Sequence, residues 1–273
     1  MLRANGERPS LKKMSWRFVD LGEIDCFLGP AVFEAVMQAV SEDRVDDTIL
    51  FWQPERPAVY VGFHQLVRED VDVEGCGKAG VPVIRRVLGG GAGYCDPNQV
   101  LYNIIYKEGS QRIPRGPRNA YRFILRGVVE ALHGLGIRDA CIDEERFGVY
   151  ANGKKISGSG QLSSLGVVNS GGSFLVDFDY TAMGRFLKDP VKNLRKGVLR
   201  PEDGMTCLRK EVGNVTAGEA KAALRRGFEK VLGESYDAGL HDYETALARE
   251  LRKKYLTDEW TFRADLRKDR VKK

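Results

Sequence analysis

Residues 147–163 read FGVYANGKKISGSGQLS. Two runs of strand-forming residues flank Asn152-Gly153, and that dipeptide supplies the positive φ angles of a type I′ turn. The spacing predicts a hairpin. Alternation along its second strand places Lys155, Ser157 and Ser159 on one face and Lys154, Ile156 and Gly158 on the other. A lysine just past a tight turn, on a face of small residues, can reach over a bound ligand. An exposed hairpin lysine is the plainer reading of the same residues.

Working outward, extended runs rich in Val, Ile, Tyr and Phe occur at 48–52 (TILFW), 58–62 (AVYVG), 82–86 (PVIRR), 100–106 (VLYNIIY) and 171–179 (GGSFLVDFD). Gly, Pro and Asp bound them, as they bound strands. Residues 30–41 read as a short helix. Residues 117–135 read as a longer one, in which Tyr121, Ile124, Leu125, Val128, Leu132 and Leu135 form one apolar stripe. Thr216 with Glu219 three residues on has the form of a capping box, ahead of the stripe Ala220, Ala223, Leu224, Phe228 and Val231. Tyr243, Leu247 and Leu251 make a further stripe. The order is that of a mixed α/β (α+β) chain with helices packed on its sheets and a helical last third. No internal repeat and no composition break divides it.

The 273 residues include 12 Phe, 10 Tyr and 3 Trp, enough for a substantial core, so global disorder is excluded. No stretch approaches the roughly 20 apolar residues of a membrane span, and the N-terminus lacks the apolar run of a secretory signal. Five cysteines without a C-x-x-C pair argue against a disulfide scaffold or a zinc ribbon and for a reducing cytoplasm. Three scattered histidines offer no metal site. The net charge of +5 sits at the ends: residues 1–13 carry four basic and one acidic side chain, and residues 263–273 six and two. The body between them is nearly neutral, which argues against a nucleic-acid partner.

Arg85-Arg86-Val87-Leu88-Gly89-Gly90-Gly91 ends a strand in two arginines and a glycine run. Such glycines let backbone N–H groups approach an anion, and guanidinium groups suit a phosphate or carboxylate. No G-K-[ST] follows, so this is not a P-loop. A surface loop with solvated arginines is the alternative.

The two segments together resemble the lipoate–protein ligase and octanoyltransferase family, relatives of the biotin ligases. That family carries R-R-x-x-G-G-G-A-x-Y-H-D followed by G-[KR]-K-[IV]-[SA]-G-[SN]-A-Q, and this chain has RRVLGGGAGYCD at 85–96 and GKKISGSGQ at 153–161. The likeness extends to RPAVYVGFHQ (56–65), GVVNSGGSFLVDFD (166–179) and KKYLTDEW (253–260), over residues 15–263. It implies a mixed-sheet biotin/lipoyl-ligase-like catalytic domain over 15–263, between a basic extension at 1–14 and a basic tail at 264–273.

The resemblance further implies an apolar tunnel for a medium-chain acyl group, which passes to one lysine of a lipoyl carrier domain, either glycine cleavage H protein or a 2-oxoacid dehydrogenase E2. Arg85, Arg86, Gly89, Gly90 and Gly91 would line the acyl-phosphate or acyl-carrier end, together with Ser157 and Gly158. Lys155 would hydrogen-bond the acyl carbonyl and stabilise the oxyanion. Cys141, in Ala140-Cys141-Ile142-Asp143 and fourteen residues before Lys155, matches the position of a nucleophilic cysteine in some octanoyltransferases of the family. Cys95 is its rival, and a buried structural thiol is the alternative for Cys141.

Departures are equally specific. The family's H-D is Cys95-Asp96, its H-G is Ser170-Gly171, and the Ala before Gln is Gly160. ATP-using ligases often carry Asn-Asp where this chain has Phe147-Gly148. The reading preferred from sequence is therefore octanoyl transfer from acyl carrier protein through a Cys thioester, without a cofactor. The alternatives are an ATP- and Mg²⁺-dependent lipoate ligase, which at this length would need a separate accessory protein, and a non-catalytic homologue that binds lipoyl carriers. Biotin ligation lacks its G-R-G-R-x-G stretch.

Overall fold

The strand runs assemble into three sheets in the computed structural model, which describes residues 15–271; the basic extension at 1–14 lies outside them. β1 (Trp16–Ile24) leads through α1 (Leu28–Ser41) to β2 (Thr48–Pro54) and β3 (Ala58–Val61). Two short helices, α2 (Val67–Asp70) and α3 (Val73–Lys78), precede β4 (Val83–Arg85), and the glycine loop leads to β5 (Gly93–Cys95) and β6 (Gln99–Lys107). After α4 (Pro117–Gly134) come β7 (Cys141–Asp143), β8 (Gly148–Ala151), β9 (Lys154–Ser157), β10 (Ser159–Ser164) and β11 (Val167–Leu175). The helical end comprises α5 (Tyr180–Phe186), α6 (Pro201–Gly204), α7 (Leu208–Val212) and α8 (Ala217–Leu232). It continues with β12 (Ser235–Asp237), α9 (Asp242–Tyr255), α10 (Asp258–Thr261) and α11 (Arg263–Val271).

The large sheet has the order β10-β11-β6-β2-β1-β12, with β1 parallel to β2 and β12 and the other pairs antiparallel. Its β2 is buried on both faces because helices cover both. Ile49 and Phe51 point to a core shared with Ile124, Val128 and Phe228 of α4 and α8. Leu50 and Trp52 point the other way, to a core shared with Val32, Phe33 and Val36 of α1. The predicted capping box of α8 forms between Thr216 and Glu219. A second sheet, β4-β3-β5, covers part of the α1 side and carries a third core on its outer face, with Tyr94, Phe178 and Phe186. The third sheet is β7-β8-β9.

Three differences from the sequence reading have physical causes. β1 and β12 were not anticipated, and their partners lie far away in the chain. The strand expected at 171–179 begins at Val167, because antiparallel pairing with β6 runs from Val167↔Lys107 to Leu175↔Gln99. The second hairpin strand is broken at Gly158, where the chain leaves the small sheet for the large one: β9 pairs with β8 and β10 with β11.

The expected basic tail is helical from Arg263 to Val271. Its Asp265 is buried and accepts hydrogen bonds from the Val67 and Arg68 N–H groups, both at 3.0 Å.

Candidate active site

A cavity of about 190 Å³ opens where the three sheets meet. Phe33, Trp52, Tyr60, Leu88 and Leu101 supply apolar walls, and Lys155 and Gly158 border it. Space of this order would hold on the order of ten waters, comparable to a medium-chain acyl group. Adjacent residues Tyr94 and Cys95 both line it although their side chains belong to different cores. The edge strand β5 thus contributes residues of two cores to the cavity wall. The glycine loop and Asp189, Pro190, Lys192, Asn193 and Leu194 of the segment after α5 line it further.

The two arginines divide sharply. Arg85 was expected in the acyl pocket; in the structure it is not among the residues lining the cavity. Its guanidinium is fully buried, donating to the carbonyls of Thr261 (2.8 Å), Gly62 (2.9 Å) and Phe63 (3.0 Å), with Asp265 at 3.8 Å. It fastens the C-terminal helices to β4, as does the Trp260 indole N–H, which donates to the Arg85 carbonyl. Arg86 does line the cavity. Its donors hold the carbonyls of Tyr60 (3.1 Å), Gly89 (2.9 Å) and Gly91 (2.8 Å), so it clamps the loop it precedes.

Of the three loop glycines, Gly91 borders the cavity and Gly89 and Gly90 do not. Gly89 donates to the Gln161 carbonyl at 3.3 Å, and Gly90 has φ +95°, in the left-handed region that favours glycine. A Cβ at Gly160, where the family has alanine, would collide with the Gly89 carbonyl. That departure thus allows the loop to lie against β10. Ser157 is also absent from the cavity wall: its Oγ is buried 3.5 Å from the Tyr102 hydroxyl.

Lys155 is half-buried and donates to the Asn193 carbonyl at 3.4 Å. Desolvation pulls its ammonium below the ordinary lysine range, opposed by the Asp143 carboxylate. Lys154 leaves on the other side and donates to the Glu202 carbonyl at 2.9 Å. Strict alternation had placed Gly158 with Lys154. Because the strand breaks there, a Cβ at Gly158 would instead stand 3.6 Å from Lys155 Cε. Gly148 lies under the same stem: a Cβ there would be 3.0 Å from Lys155 Cε and 3.2 Å from the Ser157 carbonyl.

The thiols also separate. Cys141 is exposed and the other four cysteines are buried. Cys95 lines the cavity, but burial pushes its thiol up to about 12, with Arg86 opposing, so it is not a thiolate at neutral pH. Cys141 pairs with Tyr150 across β7–β8, and Tyr150 pairs with Lys155 across β8–β9. Directly paired residues project from one face of a sheet. Arg195 covers that face, 4.2 Å over the Tyr150 ring, with Nε donating to Asp143 Oδ2 at 3.1 Å.

Asp70, Tyr150, Asn193 and Arg195 were absent from the sequence reading. Asp70 ends the short helix α2, Tyr150 lies in β8, and Asn193 and Arg195 lie in the segment between α5 and α6, where no repeat pattern marks them as site residues. Among the described residues no cluster of His, Cys, Asp and Glu could hold a metal ion, and no helix is long and apolar enough to cross a membrane.

The site thus joins a cavity with apolar walls, a desolvated lysine at its border and an exposed thiol on the lysine's own sheet face. The chain belongs to the lipoyl protein ligase A/B catalytic domain family, which matches residues 26–229. It is thus an acyltransferase or ligase of protein lipoylation. It is 30% identical to the octanoyltransferase LipM of Anoxybacillus flavithermus, over 93% of this chain and all of that one. It is 31% identical to octanoyltransferase LipM of Kyrpidia tusciae, over 91% and 99%. Among solved structures, the bipartite lipoate protein ligase studied with its E2 lipoyl domain from Thermoplasma acidophilum superposes with TM-score 0.80 at 25% identity, covering 92% and 97%. An ATP-bound lipoate-protein ligase A superposes equally well, with TM-score 0.80 at 24% identity over 92% and 100%.

Proposed function

We propose that this enzyme transfers an octanoyl group from acyl carrier protein to one lysine of a lipoyl carrier domain, through a thioester on Cys141. The observation that carries the reading is the placement of Cys141, the exposed thiol of the five, on the sheet face of Lys155. The LipM relatives support it over nearly their whole length. So does Gly148. It stands where ATP-using ligases of the family often carry a carboxylate, and Lys155 packs over it. The arginines lend no support to a phosphate ligand, because Arg86 is engaged by three carbonyls and Arg85 is buried elsewhere.

In the first step the Cys141 thiolate attacks the octanoyl thioester carbonyl. The new C–S bond forms, the carrier's C–S bond breaks, and the carrier thiolate leaves and takes a proton. In the second step the neutral ε-amine of the target lysine attacks the Cys141 thioester. An amide forms, the amine releases a proton, and Cys141 returns as thiolate. Exchange of one thioester for another is nearly neutral in free energy, so the first step needs no activation. Lys155 donates to the carbonyl oxygen as it becomes an oxyanion in both steps. The apolar walls around Trp52 and Leu101 hold the alkyl chain. A reducing cytoplasm, which keeps Cys141 a thiol, is the compartment this chemistry requires. The lipoyl domains of 2-oxoacid dehydrogenase E2 and of H protein are the proposed acceptors.

Intact-mass spectrometry tests this reading. Incubation with octanoyl-acyl carrier protein, without ATP, should leave the enzyme heavier by one hydroxylamine-labile octanoyl group. Cys141→Ser should not acquire a hydroxylamine-labile group, and Cys95→Ser should. If Cys141→Ser keeps full activity and transfer needs ATP and free lipoate, the chain is a lipoate ligase. If neither donor modifies a lipoyl domain, with or without added accessory protein, it is a non-catalytic binder.

A further inference from the structure

Arg195 has no part in the chemistry above, yet it stands in the middle of the site. It follows three residues that anchor the segment over the cavity. Lys192 pairs with Asp70 at 2.6 Å, Asn193 accepts from Lys155, and Leu194 is buried in the third core. Arg195 then lies over the Tyr150 ring, and its Nε bonds Asp143 Oδ2. Asp143 pairs across the strands with Gly148, over which the Lys155 stem lies. The carboxylate therefore occupies the side of the sheet toward which the ammonium extends. Its Oδ1 is held by the N–H groups of Glu145 (3.1 Å) and Arg146 (3.0 Å), and Arg195 takes Oδ2.

An ammonium has three N–H donors. In this structure Lys155 Nζ makes one long hydrogen bond, to Asn193, and no ion pair within 4.0 Å with Asp143. A lysine neutralised by a carboxylate donates poorly to a developing oxyanion. The same lysine held apart from it keeps donors and charge for the substrate.

We propose that Arg195 is a positioning residue: by engaging and neutralising the Asp143 carboxylate, it keeps Lys155 Nζ available to the acyl carbonyl. This rests on the reading of Lys155 as the oxyanion donor. Asp143 is then a competitor held in check by Arg195, while its Oδ1 secures the turn into β8.

The test is a rescue. Arg195→Gln should lower kcat of octanoyl transfer by about tenfold to a hundredfold, as loss of an outer partner of an active group does. Arg195→Lys, which keeps the charge, should lose less. In Arg195→Gln/Asp143→Asn the competing charge is gone, and kcat should recover most of the loss. A mere anchor for the segment 187–198 would show no such recovery, since the second substitution removes a partner and restores none. Thermal midpoints measured alongside establish that each variant is folded. Full activity in Arg195→Gln, or a double variant no faster than Arg195→Gln, overturns the proposal. Lys155→Ala, assayed in parallel, separates the two readings. If it still transfers, the role of Lys155 is wrong; if it is inactive and the rescue fails, only the role of Arg195 is wrong.

Discussion

Cys141 and Lys155 are both cross-strand partners of Tyr150, one from each side. The thiol and the ammonium thus project from one sheet face, two strands apart. Two strand spacings amount to roughly 10 Å, a gap that an extended lysine and an acyl carbonyl together span. Tyr150 forms the floor of that gap and Arg195 its cover.

Lys155→Ala is expected to lower transfer at least about a hundredfold, the usual loss for one oxyanion donor, with the fold intact. Lys154→Ala should cost far less, because Lys154 is directed to the Glu202 carbonyl and not to the cavity. Rates of lipoyl-domain acylation for the two variants check this; equal losses would contradict the assignment of strand faces.

The rate at which Cys141 is acylated should fall at high pH. In its proposed role Lys155 is an ammonium, and burial pulls its pKa below the ordinary 10.5. Its charge, and with it the oxyanion donor, is lost as pH rises through that lowered value. The falling limb should therefore begin below 10.5. The residual rate of Lys155→Arg should lack the limb, since a guanidinium stays charged. Single-turnover acylation across pH measures both, free of the target lysine's own titration.

Gly148→Ala should displace Lys155. The added Cβ would stand 3.0 Å from Lys155 Cε, which can move, and 3.2 Å from the Ser157 carbonyl, which cannot move without shifting β9. Overpacking of this kind costs about 1–3 kcal/mol. A modest drop in thermal midpoint should accompany a larger fall in kcat than in donor affinity. Wild-type kcat would mean that Lys155 works from another position.

Asp265→Ala should destabilise the fold by about 3 kcal/mol or more, because it leaves the buried Arg85 guanidinium without its opposite charge. It also removes the acceptor for the Val67 and Arg68 N–H groups. Urea unfolding gives the size of the effect. An unchanged midpoint would show that α11 is not part of the cooperative unit.

Sequence alone determined what local physics decides. Asn152-Gly153 turns because its φ angles demand it, the 117–135 stripe makes α4 amphipathic, and Thr216 caps α8 through a residue three positions away. The two motifs, read together, were enough to place the chain in its family and to single out Lys155. Tertiary structure decided whatever depends on residues distant in the chain. Arg85 and Arg86 are neighbours of like chemistry. Only the packing of the C-terminal helices against β4 sends one into the interior and leaves the other at the cavity. Gly158 changes sides because β9 and β10 belong to different sheets, which alternation along one strand cannot reveal. Asn193 and Arg195 lie in a segment without periodicity. They acquire a role because hydrogen bonds to Lys155 and Asp143, residues far back in the chain, hold them over the site. Cys141 could be read from sequence as a buried thiol or a nucleophile. Its exposure follows from its place in β7, an edge strand of the β7-β8-β9 sheet, which depends on how that sheet assembles.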